Sequence, residues 1–93
     1  MIKSFACKDT QKLFDREENR KFPPETRRKA LRQLKAVHFA VTLDDLRVPP
    51  GNRLERLKGK RAGQYSIRIN GQWRICFRWS DGIAYEVEIA DYH

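Results

Sequence analysis

The chain has 93 residues, enough for one domain, 1–93, around one core, and a chain this short buries only about 60–65% of its unfolded surface. Apolar content of 40% with 11% aromatics excludes disorder, and no apolar run approaches membrane-spanning length. Twenty basic against twelve acidic residues give +8, concentrated in residues 20–35 and 51–79, a pattern that suits a polyanionic partner better than a uniformly solvated surface. The opening "MIKSFACKDT" has no signal-peptide apolar region, so the cytosol is the expected compartment, and Cys7 and Cys76 are expected as free thiols.

In chain order, "MIKSF" alternates enough for a short strand. "DTQKLFDREENR" reads as a short helix capped at Asp9 or Thr10. "FPPETRRKALRQLKAVHFA" reads as a longer helix with Pro24 in its first turn. Its Ala30, Leu31, Leu34, Val37 and Val41 recur at helical spacing, while Arg27, Arg28, Lys29, Arg32 and Lys35 cover the remaining arc. "TLDDL" predicts one more helical turn, with Thr42 and Asp45 spaced as a capping box, and "RVPPGN" a loop.

The second half predicts a meander, with "NG" at 70–71 and "DG" at 81–82 as turn signals. A three-residue loop closing on Gly71 pairs Ile67 with Trp73, with Gly71 in the left-handed region. A similar loop at Ser80-Asp81-Gly82 pairs Trp79 with Ile83 and Phe77 with Tyr85. This register collects Tyr65, Ile67, Trp73, Ile75, Phe77, Trp79, Ile83, Tyr85, Val87 and Ile89 on one buried face. The other face then carries Ser66, Arg68, Arg74, Cys76, Arg78, Glu86 and Glu88, with Arg74 opposite Glu88. The expected architecture is α+β: an N-terminal strand and two helices packed on an antiparallel sheet whose basic face stays open.

No metal or cofactor site is visible, because neither cysteine nor either histidine has ligands at metal-binding spacing, and alternation separates Asp91 from Glu86 and Glu88. The remaining chemistry-bearing set is Lys58, Lys60 and Arg61 in "LKGKRAG", Arg68 and Arg74 on the open face, and His93 at the end of "ADYH". This set suits RNA cleavage by an internal 2′-hydroxyl, in which the protein need only orient the phosphate, neutralise charge and move protons. Each residue also has a plainer reading: Arg74 as an ion-pair partner of Glu88, Lys58 and Arg61 as a solvated turn, Tyr92 as a satellite core residue. On spacing alone, a nucleic-acid-binding or protein-binding module stands beside catalysis.

"RLERLKGKRAGQYSIRINGQWRICFRW" followed by "DGIAYEVEIADYH" resembles the HigB-type toxins, the plasmid-maintenance killer proteins of the RelE superfamily. The motif L-K-G-x-R-x-G-Q-[YW]-S-I, then W-R-I, then a terminal D-Y-H is long and ordered, and "MIKSF" matches as well. The resemblance implies a compact RelE-like fold in a bacterial cytoplasm. It implies a ribosome-dependent endoribonuclease that cuts mRNA and arrests translation, paired with a helix-turn-helix antitoxin. By position it assigns the site to Lys58, Arg74, Asp91, Tyr92 and His93. Arg53, Arg56, Lys60, Arg61, Arg68, Arg78, Arg27, Arg28, Lys29 and Arg32 are then candidates for RNA or ribosome binding. Some relatives read H-P-L-K-G where this chain has Glu55-Arg56-Leu57-Lys58-Gly59, so either Glu55 replaces the histidine as base or His93 acts alone. Two other classes share the pattern: a ParE-type toxin acting on DNA gyrase, and a non-catalytic module that binds RNA or the ribosome.

Overall fold

The computed structural model describes residues 1–17 and 21–91, so Tyr92 and His93 lie outside the described residues. Helix α1 spans Lys8–Phe14 and α2 spans Pro24–Phe39. Four strands follow, β1 Glu55–Arg56, β2 Tyr65–Arg68, β3 Trp73–Ser80 and β4 Ile83–Asp91. They form one antiparallel sheet in the order β1-β2-β3-β4. The strand expected at "MIKSF" is reduced to two parallel bridges, Ile2 with Ala84 and Phe5 with Val87, along the free edge of β4.

The cap of α1 is Cys7, not Asp9 or Thr10. Thr10 is instead fully buried, and its Oγ1 accepts a hydrogen bond from the backbone N–H of Ile89 at 2.9 Å. A hydroxyl that ties helix to sheet is unavailable for capping. In α2, Pro24 occupies the first turn, and Ala30, Leu34 and Val37 are fully buried against the sheet. Leu31 is half-buried, whereas Val41 lies beyond the helix and is exposed. Thr42 and Asp45 form the expected capping box on a 3-10 turn, Leu43–Arg47. The Asp45 carboxylate accepts from the N–H groups of Thr42 and Val41 at 3.0 and 2.9 Å, and these bonds hold its pKa below the usual carboxylate value. The capping contribution is therefore present above about pH 4 and is lost as pH falls further. Thr42→Ala is expected to cost about 1 kcal/mol in thermal unfolding. The segment expected as a loop at "RVPPGN" contains a second 3-10 turn, Pro50–Asn52, whose Asn52 is buried.

Both hairpins differ in register from the sequence expectation. Ile67 pairs with Ile75 and Tyr65 with Phe77. The first loop is thus Asn70-Gly71-Gln72, which leaves Ile69 in the core with no exposure rather than in the turn. Asn70 makes this loop possible: its Oδ1 accepts from the N–H groups of Gln72 and Trp73, both at 2.9 Å. Gly71 accordingly has no need of positive φ and is not among the residues that adopt it. The second turn is the two-residue Asp81-Gly82, both at positive φ (50° and 77°), as a mirror-image hairpin turn requires.

That turn pairs Ser80 with Ile83, Trp79 with Ala84 and Arg78 with Tyr85. Ile83 and Tyr85 therefore leave the core face, and Ala84 takes their place in the core. A bulge opposite Phe77 then inserts one extra residue into β4, with Glu86 at φ 51°. The insertion returns Val87 and Ile89 to the core beside Phe77 and Ile75. Trp73 seals the end of this core with an edge-to-face contact to Phe22, ring centroids 5.2 Å apart.

Candidate active site

On the sheet face away from the helices, register places side chains in rows. Glu55, Ser66, Cys76 and Glu88 form one row; Arg68, Arg74 and Ala90 form the next. The face is not open throughout. After β1 the chain turns back over the sheet, and Leu57 packs on Cys76 and Ala90 in a small apolar cluster of its own. Ser66 and Cys76 have no exposure, and Arg74 has 7%. Both cysteines are free. Burial pushes the Cys76 thiol above its ordinary pKa, keeping it neutral at physiological pH, while Arg61 and Arg74 oppose that shift.

Arg74 does not pair with Glu88, because register sets it opposite Ala90. Its Nε donates to Ser66 Oγ at 2.8 Å, and its Nη2 donates to the Arg53 carbonyl at 2.8 Å. The Glu55 carboxylate lies 3.6 Å from Nη2. The guanidinium is thus fixed in plane and direction by β1, β2 and the residue that leads into β1. Two of its partners are neutral oxygens, so they orient the charge without cancelling it.

Glu88 is instead the partner of Arg61, at 2.8 Å, and Arg61 also donates to Gln64 Oε1 at 3.0 Å. Arg61 closes the 3-10 turn Gly59–Arg61, whose cap is Lys58, and both Lys58 and Lys60 are exposed there. The motif L-K-G-x-R-x-G is therefore a lid segment carrying its cations above the row that holds Cys76. Its apolar Leu57 is the anchor that holds the segment against Cys76 and Ala90.

The structure brings Glu55, Lys58, Arg61 and Arg74 to one side of the sheet, with Arg68 and Arg78 at either end. Arg68 stands directly opposite Arg74 in the register and donates its Nε to the Asn70 carbonyl at 3.2 Å. Arg53 and Arg56 are exposed around β1. Asp91 is not brought to this set: it registers with Trp73, on the helix side, and its Oδ2 accepts from Gln72 Nε2 at 3.3 Å. Arg28, Lys29 and Arg32 are exposed on α2, which covers the opposite face, with Arg27 half-buried there. The two basic blocks of the sequence are therefore two separate surfaces. Tyr92 and His93 lie outside the described residues. Among the described residues no cluster of three His, Cys, Asp or Glu side chains could hold a metal ion.

Sequence reasoning missed Ser66 and the Arg53 carbonyl as the groups that aim Arg74. The signal for Ser66 was its register position between Glu55 and Cys76, which becomes visible only once the β1–β2 pairing is known.

The family model for the RelE-like toxin of the type II toxin–antitoxin system HigB matches residues 3–93. The chain is 38% identical to Toxin HigB-1 of Vibrio cholerae serotype O1 over 85 residues, 90% of each chain. It is 34% identical to Endoribonuclease HigB of Proteus vulgaris over the whole of both chains. Among solved structures, the fold is similar to a chain of the heterotetrameric YoeB–YefM toxin–antitoxin complex of Staphylococcus aureus. The TM-score is 0.61 at 21% identity, covering 100% of this chain and 95% of that one.

Proposed function

The chain belongs to the HigB-like family of RelE-like toxins of type II toxin–antitoxin systems, and from that premise we propose that it is an endoribonuclease that cuts mRNA on the ribosome. Membership of a type II system gives it an antitoxin partner, for which we propose a helix-turn-helix protein. No helix among the described residues is long and apolar enough to cross a membrane, and a bacterial cytoplasmic location accompanies this proposal.

The observation that carries the catalytic reading is the pairing of Glu55 with Arg74, a carboxylate 3.6 Å from a guanidinium that is itself held by Ser66 and Arg53. A phosphate set on Arg74 would bring its neighbouring 2′-hydroxyl within reach of a base at Glu55. In the proposed reaction Glu55 takes the proton from that hydroxyl, and the freed oxygen attacks phosphorus. The bond from phosphorus to the 5′-oxygen breaks. His93 delivers a proton to the departing oxygen, while Arg74, Arg61 and Lys58 stabilise the charge on the phosphoryl oxygens. The nucleophile belongs to the substrate, so the protein supplies position, charge and protons.

The products are then a 2′,3′-cyclic phosphate or its 3′-phosphate and a free 5′-hydroxyl. Mapping mRNA ends after incubation with translating ribosomes, and separately with free RNA, tests this. Cuts with those ends that require ribosomes are the expected result. Cuts with 5′-phosphate ends would exclude the internal-hydroxyl mechanism. Ribosome binding without cuts would favour a binding module, and blocked supercoiling without cuts would favour the gyrase-directed class.

A further inference from the structure

The same sheet face carries a second feature, four residues along β3 from Arg74. An open groove of about 480 Å³ lies at the β3–β4 bulge, lined by Ser4, Gly63, Arg78, Ser80, Tyr85 and Glu86 among others. Tyr85 reaches this face because the two-residue Asp81-Gly82 turn sets it opposite Arg78. The bulge at Glu86 then restores the core alternation beyond it. Ser4 steadies the bulge, its Oγ accepting from the Glu86 N–H at 2.9 Å.

Arg78 is exposed, unlike the buried Arg74, and is tethered at one point. Its Nε donates to Glu86 Oε2 at 2.7 Å, its one hydrogen bond among the described residues. Its Nη1 lies only 2.7 Å from where a Cβ on Gly63 would stand. Gly63 has φ +90°, a backbone conformation that favours glycine, and a Cβ there would push the end of the Arg78 side chain aside. The terminal amino groups of Arg78 are thus presented beside a half-buried aromatic ring, on the same face as Arg74 and about 13 Å along the strand. Arg61, projecting from the lid segment over the Cys76–Glu88 row, lies between them in register.

We infer that this groove is a nucleotide subsite of the substrate strand: one unpaired base stacks on Tyr85 and its phosphate is held by Arg78, a nucleotide or two from the scissile phosphate on Arg74. An aromatic face beside a guanidinium is the combination that binds single-stranded nucleic acid with little need for base-edge hydrogen bonds. An open groove also fits a base better than an enclosed pocket would, because the strand must pass through. The inference rests on the ribonuclease reading and adds to it a residue, Tyr85, that the family motif does not assign.

The test couples protein and RNA changes. Single-turnover cleavage is measured on messages bearing one abasic site at successive positions around the cut, with wild type, Tyr85→Ala and Tyr85→Phe. One abasic position is expected to slow the wild type by roughly 5- to 150-fold, the range of base–aromatic stacking. Tyr85→Ala should slow cleavage of intact message similarly and be insensitive to that abasic position. Tyr85→Phe should retain both rate and sensitivity. Gly63→Ala, which displaces Arg78, should slow cleavage while melting shows the domain folded. If Tyr85→Ala and every abasic site act independently, or if Tyr85→Ala cuts at the wild-type rate, the subsite is wrong while the ribonuclease reading stands. If the wild type does not cut at all, the ribonuclease reading fails and the subsite with it.

Discussion

Deleting His93 is expected to lower the single-turnover cleavage rate on programmed ribosomes by about 10²- to 10⁴-fold, the usual contribution of a positioned general acid or base. Binding to the ribosome should change little, because one imidazole among many cations contributes a small part of the electrostatic attraction. The assignment comes from the terminal D-Y-H of the family pattern and from the chemistry. The leaving 5′-oxygen needs a proton, and histidine is the side chain whose unperturbed pKa lies nearest neutral pH. Arg74, Arg61 and Lys58 are suited instead to binding phosphoryl oxygens, the two arginines through paired N–H groups and the lysine as a point charge. A rate–pH profile separates the roles. Wild type should show a limb reporting the acid, and the His93 deletion should lose it. A folded deletion that cuts at the wild-type rate removes His93 from the reaction and leaves Glu55 with water as the proton carriers.

Arg74→Ala is expected to fail in two ways at once. The buried guanidinium bonds Ser66 Oγ and the Arg53 carbonyl, and removing it leaves both without that partner and Glu55 without its cation. Loss of charge-assisted bonds of this kind costs about 2–3 kcal/mol. In a domain of this size that is a fall of roughly 10–20 °C in melting temperature. Cleavage should fall by about 10²- to 10³-fold beyond what unfolding explains, as when one donor to a developing anion is lost. Arg74→Lys separates the two effects. Lysine keeps the charge but cannot serve Ser66 and the Arg53 carbonyl from one rigid plane, so stability should recover more than rate. An Arg74→Ala protein that melts lower but, at a temperature where it is folded, cuts normally would make Arg74 a structural residue only.

Arg74 and its carboxylate partner differ in how visible they are in the sequence. The resemblance assigns Arg74 to the site through W-R-I, and the structure holds its guanidinium between Ser66 Oγ and the Arg53 carbonyl. Its partner was not legible: the expected pair with Glu88 is displaced by two one-residue shifts, one at the turn and one at the bulge. The sequence reading kept strict alternation from Trp73 to Ile89, since alternation is all that a one-dimensional pattern offers. The chain instead uses a two-residue turn and a bulge, so that Ala84 fills the core and Tyr85 faces away from it. Ala84 carries too little side chain to announce itself as a core residue, and Tyr85 carries enough to look like one. Similarly, a three-residue loop closing on Gly71 puts Ile69 in the turn. The Asn70 side chain moves the turn by one residue and keeps Ile69 dry.

By itself the sequence determined the two helices, the meander, the cap at Thr42 and Asp45, the position of Pro24, and the concentration of cations in two blocks. These rest on local spacing, local turn chemistry or simple counting, each of which acts within a few residues. Only the tertiary structure decided that the two basic blocks lie on opposite layers, that Leu57 folds over the sheet to cover Cys76, and that Asp91 turns away from Arg74. It also decided that Glu55, not Glu88, stands beside Arg74. Those outcomes depend on which strands pair and in what register, and register is set by the summed burial of residues far apart in the chain. Ile67, Ile69, Ile75, Phe77, Ala84, Val87 and Ile89 reach the core together in one arrangement of turn and bulge, and the charged face follows from that arrangement.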